Sequence, residues 1–386
     1  MNATVPIHFL DLRDRIASTR EPLSRSKHLP GDFYHSADIH AVEKRKIFLD
    51  TWLCVAREEE IPNPGDYLTL RVVDEPVAVV RQPGGEVAAF VNMCLHRGVA
   101  VAEGRGNARG FSCPYHAWGY DLGGKLKVAP RMQHSECDMQ GSRMPPMQCV
   151  TWRGWVFVSF NRAAMPFEEF IAPYEKDDKL WWFQTGRTRL AEKLVIEVAC
   201  NWKLLVENLV DVYHVPILHK GTFGSMVRYG GTSDSFECDL LPRGGWAYDQ
   251  KARPHSSGGK QMFPTLPWLE GMSDDTSSRA GIFPNVNLSM RLDSLRNWVV
   301  WPTSPTTTEL HIYLMFPHAA FDDPEFAKNL EVYKAFLHKL VGEDAGMVAS
   351  LQLAMKSPFF EPGPMSHLES AVRHVITNYL DVVTAG

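Results

Sequence analysis

Val91-Asn-Met-Cys-Leu-His-Arg-Gly98 and Gly110-Phe-Ser-Cys-Pro-Tyr-His-Ala-Trp118 are the two stretches on which the reading of the chain turns. Each holds one Cys and one His in a short loop containing Gly or Pro, as Cys94-x-His96 and Cys113-x2-His116, with sixteen residues between the pairs. Four soft ligands so placed converge on one centre. Structural zinc takes two Cys and two His as readily as iron does. Zinc fingers, however, usually supply two Cys and then two His, so structural zinc stays as the alternative. Here each loop gives one of each, so two thiolates can hold one iron and two imidazoles the other, the ligation of a Rieske [2Fe-2S] centre.

Strand-like segments surround these loops. Ile61-Pro-Asn-Pro-Gly65 reads as a turn, Tyr67–Val72 and Pro76–Arg81 as strands, and Val87–Asn92 as the strand that leads into the first ligand loop. Tyr120-Asp-Leu-Gly-Gly-Lys125 continues as a hairpin, and Val150 to Phe160 reads as one closing strand. A small antiparallel β domain over residues 43–160 follows. It ends near Asn161, because Met165-Pro-Phe-Glu-Glu-Phe170 restarts helical spacing. Residues 1–42 are expected to form a helical arm packed on a second domain, residues 161–386. His35–Trp52 reads as a helix, and His28, His35 and His40 as surface residues.

The 386 residues suit two domains, with 45% hydrophobic and 22% charged side chains. A formal net charge of -5, with no run of Lys or Arg, gives no electrostatic case for a nucleic-acid or membrane partner. No apolar stretch reaches the roughly 20 residues of a membrane span, and Asp11, Arg13, Asp14 and Arg15 interrupt what a secretory signal would keep apolar. Seven scattered cysteines, an odd number, do not form a disulfide framework in a chain this long. A cytoplasmic location is expected.

The second half mixes strands and helices. Leu194–Ala199, Gly281–Leu292, Asn297–Trp301 and His311–Phe316 read as strands, and a helix starts after Asp322-Asp-Pro324 with Phe326, Leu330, Tyr333, Leu337 and Leu340 on its buried stripe. Between Tyr229 and Ala280 lies a stretch rich in Gly, Ser, Pro and Asp, whose Phe263, Leu266, Trp268 and Leu269 suggest a lid over a substrate entrance.

Trp202–Val215 reads as an apolar helix on which Glu207, Asp211 and His214 fall at i, i+4 and i+7 and share a face. Ionisable groups on such a helix are costly to bury unless paired or bound to a metal. If Pro216 breaks the helix, His219 can swing back beside His214. Two His and a carboxylate on one face of an ion leave open positions, as in non-haem Fe(II) oxygenases. Asp211, close to His214, is better placed to orient its imidazole, so the third ligand comes from elsewhere.

With both sites in view, the chain resembles the Rieske non-haem iron oxygenases, specifically the large (α) subunits of aromatic-ring-hydroxylating dioxygenases. The resemblance runs from Leu29-Pro-Gly-Asp-Phe-Tyr34 through the cluster loops and Asn201-Trp-Lys203 to Phe283-Pro-Asn285 and the terminal region. It implies an α+β protein: a small antiparallel Rieske [2Fe-2S] domain and a catalytic domain with a curved antiparallel sheet and surrounding helices. It also implies Cys94, His96, Cys113 and His116 on the cluster, and His214, His219 and Asp344 on a mononuclear Fe(II). Asp344 comes from the late pair Glu343-Asp344 followed by Gln352. Asp211, Glu207 and Asn208 are the implied catalytic side chains, with Asp211 bridging the two centres. The implied reaction is O2-dependent hydroxylation or dihydroxylation of a hydrophobic, aromatic substrate; the alternative is a monooxygenase or demethylase acting on an ether, amine or quaternary amine. Electrons from NAD(P)H would come through a separate reductase, with or without a ferredoxin, because the chain has no Gly-x-Gly-x2-Gly after a strand. A homotrimer (α3), or α3β3 with a small β subunit, is the implied assembly. A pure electron carrier would not need the His214/His219 pair, and a zinc hydrolase would not share the whole-chain resemblance.

Overall fold

The computed structural model describes residues 9–176, 180–224, 227–229 and 236–385. The chain divides into two compact units, one of residues 48–170 and the other of the residues up to 47 together with those from 171 onward.

Residues 48–170 are β structure. Strands β1 (Leu53–Arg57), β2 (Asp66–Val72), β3 (Glu75–Arg81), β4 (Val87–Val91), β5 (Arg105–Asn107), β6 (Phe111–Ser112), β7 (Gly119–Tyr120), β8 (Leu126–Val128), β9 (Gln148–Trp152) and β10 (Trp155–Ser159) form three antiparallel sheets, ordered β4-β3-β2-β5, β6-β7-β8 and β1-β10-β9. β3 is an inner strand, which is why Val77, Ala78, Val79 and Val80 are all buried rather than alternating. The single closing strand expected over Val150–Phe160 is instead the hairpin β9-β10. Arg153 and Gly154 both have positive φ (50° and 81°), the requirement of the two-residue turn whose twist matches its strands. The two ligand loops are the β4-β5 and β6-β7 connections.

The second unit opens with α1 (Phe9–Arg20) and α2 (Ala37–Glu43), and α3 (Phe167–Glu175) ends in it. The helix expected over His35–Trp52 is shorter: Ser36 caps α2, which passes into one π turn over Lys44–Phe48. His28 is not a surface residue, for its Nε2 lies 3.4 Å from Glu369 Oε1 in a largely buried pair. β11 (Thr188–Val198), β12 (Val227–Tyr229), β13 (Asp239–Leu241), β14 (Gly245–Ala252), β15 (Thr276–Ile282), β16 (Val286–Arg291), β17 (Ser294–Ser304) and β18 (Thr307–Pro317) form one antiparallel sheet, ordered β11-β18-β17-β16-β15-β14-β12 with β13 beside β14. The single strand expected over Gly281–Leu292 is split into β15 and β16 by the turn at Phe283-Pro-Asn285. α4 (Trp202–Val210), α5 (Val215–Leu218), α6 (Phe326–Met355) and α7 (Ser370–Thr384) complete the unit, and α4 packs against both β17 and α6.

The lid expected over Tyr229–Ala280 is not found in the part that can be described; residues 230–235 lie outside the described residues. Phe263, Leu266 and Leu269 are core residues, at most 4% exposed, and the Phe263 ring packs 4.2 Å from Phe316 and 5.8 Å from Tyr333. Apolar side chains in a polar stretch anchor it inward when a core position receives them. Among the described residues, no helix is long and apolar enough to cross a membrane.

Candidate metal centres and the pocket beside one of them

The two cluster loops share one backbone device. Gly98 and Ala117 each stand four residues after the cysteine, at φ 81° and 58°, and their N–H groups donate to Cys94 O (2.9 Å) and Cys113 O (3.0 Å). The turn points the thiol inward and leaves the following histidine outside. Cys94 and Cys113 are each 3% exposed, whereas His96 and His116 are exposed. Their Nδ1 atoms face one another at 3.1 Å. With metal–nitrogen bonds of about 2.1 Å, that separation corresponds to an angle near 95° at one ion, so both imidazoles fit a single iron. Tyr120, which sequence reasoning passed over as part of a hairpin, has its hydroxyl 3.2 Å from Cys94 Sγ and accepts the Leu95 N–H at 2.9 Å.

At the second centre, α4 begins where Asn201 Oδ1 accepts the Lys203 N–H (3.0 Å), and it ends four residues before the expected continuous helix would reach His214. The helix ends there for a local reason. Asp211 turns extended (ψ 125°), because its Oδ1 accepts the Tyr213 N–H at 2.6 Å and offers the backbone an alternative to the helix. Its Oδ2 accepts from His214 Nδ1 at 2.8 Å. His214 then precedes the one-turn α5, with Pro216 in the first turn where proline is tolerated. Glu207, Asp211 and His214 therefore do not share a helical face. Glu207 lies apart from the metal-side pocket and accepts from the Tyr34 hydroxyl (2.9 and 3.1 Å), while burial lifts its pKa to about 7.

His214 Nε2, His219 Nε2 and Asp344 Oδ1, the last from the middle of α6, form a triangle with edges of 3.3, 3.0 and 3.5 Å. Ligands about 2.1 Å from one ion at angles between 90° and about 113° are separated by about 3.0–3.5 Å, so the three atoms suit one face of a metal. Each imidazole is fixed through its other nitrogen: His214 by Asp211, and His219 by Glu343 Oε2 at 2.8 Å, which also accepts from Thr222 Oγ1. Glu343 was visible in sequence only as the neighbour of Asp344. Burial opposes charge on His214, but Asp211 and Asp344 outweigh it and hold its pKa at about 9; despite burial, the two imidazoles hold Asp344 down at about 2. A donor set that attracts positive charge this strongly fits a divalent ion. Asn208 donates to Asp344 Oδ1 at 3.2 Å. Gln352 is structural, accepting the Asn201 N–H (2.6 Å) and donating to Tyr34 O (3.0 Å).

The triad opens on a narrow pocket. Its helix side carries His214, His219 and Asp344, and its sheet side carries Arg279, Arg291 and Arg296.

A Cys/His-paired centre in one compact unit and a two-histidine, one-carboxylate site facing a pocket in the other define a Rieske non-haem iron oxygenase. The model of the Rieske [2Fe-2S] domain matches residues 51–149 and that of the ring hydroxylating alpha subunit (catalytic domain) matches residues 186–385; the chain belongs to this oxygenase family, with its cluster, mononuclear iron and separate electron supply. It is similar to the glycine betaine monooxygenase oxygenase subunit of Chromohalobacter salexigens, 28% identical over 92% of this chain and 85% of that one. It is also similar to the benzene 1,2-dioxygenase subunit alpha of Pseudomonas putida, 27% identical over 75% and 71%. The fold matches that of the quaternary ammonium Rieske monooxygenase CntA with L-carnitine, with a TM-score of 0.73 at 23% identity, over 95% of this chain and 98% of that one.

Proposed function

We propose that this oxygenase component hydroxylates a small polar substrate as a monooxygenase, rather than dihydroxylating an aromatic hydrocarbon. One observation carries the choice: Arg279, Arg291 and Arg296 line the same pocket as the metal triad, and a hydrocarbon there would leave three guanidinium groups without an anionic partner. The quaternary amine monooxygenases among its relatives support the same reaction type. The benzene dioxygenase relative keeps a dioxygenase as the second reading.

His214, His219 and Asp344 are the proposed iron ligands, and Cys94, His96, Cys113 and His116 the cluster ligands. When bound, the iron activates O2 and the cluster supplies electrons to it one at a time. The chain's own side chains set the geometry. Asp211 and Glu343 accept the Nδ1 protons of the two ligand histidines, so that both Nε2 atoms stay bare and face the same point. Asn208 steadies Asp344. His116, exposed on its loop, is the proposed donor toward Asp211 of a neighbouring subunit in a ring-shaped trimer, and a cytoplasmic reductase is the proposed electron source.

The reaction is tested with a generic reductase, NAD(P)H and isotopically labelled O2, following product by mass spectrometry. One labelled oxygen atom per product molecule is expected. Two atoms in a cis-diol would establish the dioxygenase instead. His214→Ala should abolish product while the visible absorption of the cluster is unchanged.

A further inference from the structure

Arg279, Arg291 and Arg296 stand on three consecutive strands, β15, β16 and β17, and only the register brings them together. Arg279 pairs with Ser289, Ser289 pairs with Arg296, and Arg291 follows Ser289 by two residues on the same strand, so all three side chains leave the same face of the sheet. Arg291 and Arg296 are each 2% exposed. Among the described residues, no carboxylate lies within ion-pairing distance of any of the three. Their partners are neutral: Asn287 Oδ1 (3.1 Å) and the Tyr248 hydroxyl for Arg279, Met290 O (3.1 Å) and Ser277 Oγ for Arg291, and Ser289 Oγ (2.8 Å) and the Tyr333 hydroxyl for Arg296. Arg279 Nε, Arg291 Nε and Arg296 Nη1 are buried with no hydrogen-bond partner at all.

Such an arrangement is expensive unless something fills it. A buried guanidinium is normally paired, and here three share one wall. Burial and the two neighbouring guanidiniums push Arg291 down to about 9, which still leaves it charged at neutral pH. Asp293 is the nearest acid to feel Arg296, but its carboxylate is engaged by the Met262 N–H (3.2 Å) and by Ser294. His255 joins the same wall. It is fully buried, its Nδ1 has no partner, and burial followed by the three arginines pushes its pKa well down, so it is a neutral imidazole. Guanidinium N–H groups, held in a fixed fork and lining one pocket together, are what recognises a carboxylate.

We infer that the substrate is an organic acid whose carboxylate docks on Arg279, Arg291 and Arg296, holding its reacting carbon toward the His214–His219–Asp344 side of the pocket. The inference names the substrate class for the oxygenase reading above and rests on that reading only for what happens at the carbon. A bare cation is disfavoured: among the described residues, the only carboxylate lining the pocket is Asp344, which the metal would take, and the aromatic lining apart from histidines is Phe223 and Trp298. This differs from the hydrophobic substrate expected from the sequence; a quaternary amine fits only if it also carries a carboxylate.

The test uses the holoenzyme and four probes: benzoate and isophthalate as acids, toluene as a neutral ring, and choline as a cation. Binding is read by calorimetry and by the shift in melting temperature. Either acid should bind and raise the melting temperature while toluene and choline do not. Arg291→Gln and Arg296→Gln should each weaken acid binding roughly ten- to hundredfold, the range for a lost hydrogen bond to a charged group, with the cluster absorption and iron content unchanged. Toluene or choline binding better than both acids overturns the inference, as does unchanged acid binding in both variants. If either variant fails to fold, the four-probe series on the unaltered enzyme still decides. Failure of acid binding in a preparation with full iron and cluster sinks the substrate class alone; a preparation that takes up neither metal sinks the oxygenase reading instead.

Discussion

At Glu207, burial holds a proton that water would remove. The carboxyl titrates near 7 in the folded chain against an ordinary value of 4.5. Between those values the folded state keeps a proton that the unfolded chain has lost, so stability falls as pH rises from about 4.5 to about 7 and is level above that window. The full difference is at most about 3 kcal/mol, and less because the side chain is only partly enclosed. Glu207→Gln should flatten this slope in urea titrations run at a series of pH values. His28 acts in the same direction at higher pH: burial opposes its charge, but Glu369 and Glu207 outweigh burial and raise its pKa, so its stabilisation is lost as pH climbs above 6.5. A slope below pH 6 that persisted in the Gln variant would place the retained proton on another group. Glu207 was expected to be a catalytic side chain, on a helical face shared with Asp211 and His214. The shared face was lost for the reason that the helix stopped at Asp211: an aspartate in Leu-Val-Asp-Val-Tyr looks helical until its side chain takes the Tyr213 N–H.

The element that holds the metal side in place is α4, and its first turn is tied down by Glu43 at the end of α2. Glu43 is fully buried and accepts from Lys203 Nζ (2.5 Å), Trp202 Nε1 (2.9 Å) and the Tyr379 hydroxyl (2.7 Å). Asn-Trp-Lys is thus a structural signature: Asn201 caps the helix while the next two side chains dock on one acid. Removing one member of a buried ion pair strands the other charge, which costs about 3–5 kcal/mol, whereas replacing both with apolar residues is often close to neutral. Glu43→Gln should lower the urea midpoint accordingly, and Glu43→Leu with Lys203→Met should recover most of the loss. Equal midpoints for the single and double variants would show that the other partners of Glu43, not Lys203, set the penalty. The strands posed a different problem for sequence reading. Arg279, Arg291 and Arg296 each look like ordinary polar positions in a half-buried strand; their convergence depends on cross-strand register, which local periodicity does not encode. The Cys/His pairs were legible because each loop carries its ligands within a few residues.

On the scale of the whole molecule, the two candidate centres fall in separate compact units of the chain, and this makes the electron path testable. Cys113→Ala should empty the cluster while leaving the mononuclear iron bound, as metal analysis would report. A Cys113→Ala subunit and a His214→Ala subunit should each be inactive alone. Co-assembled, they should regain a sizeable fraction of activity if His116 of one chain serves Asp211 of the next. A mixture that stays inactive would assign electron transfer to a single chain.

α5 is one turn of four residues, far below the length at which a helix holds itself together in water. A metal gripped by His214, His219 and Asp344 fastens that turn to the middle of a thirty-residue helix more than a hundred positions later in the chain. The exposed Lys220 sits directly beside the fastening. Loss of the metal should therefore loosen α5 and expose the backbone after Lys220 to a protease. Ligand binding at a hundred times its dissociation constant stabilises the bound state by about 2.7 kcal/mol, which corresponds to roughly a hundredfold fewer open molecules. Trypsin should cut after Lys220 about that much faster once the mononuclear iron is chelated, and adding iron back should restore the protection. Cleavage at one rate with and without iron would mean that α5 is held by its protein contacts alone.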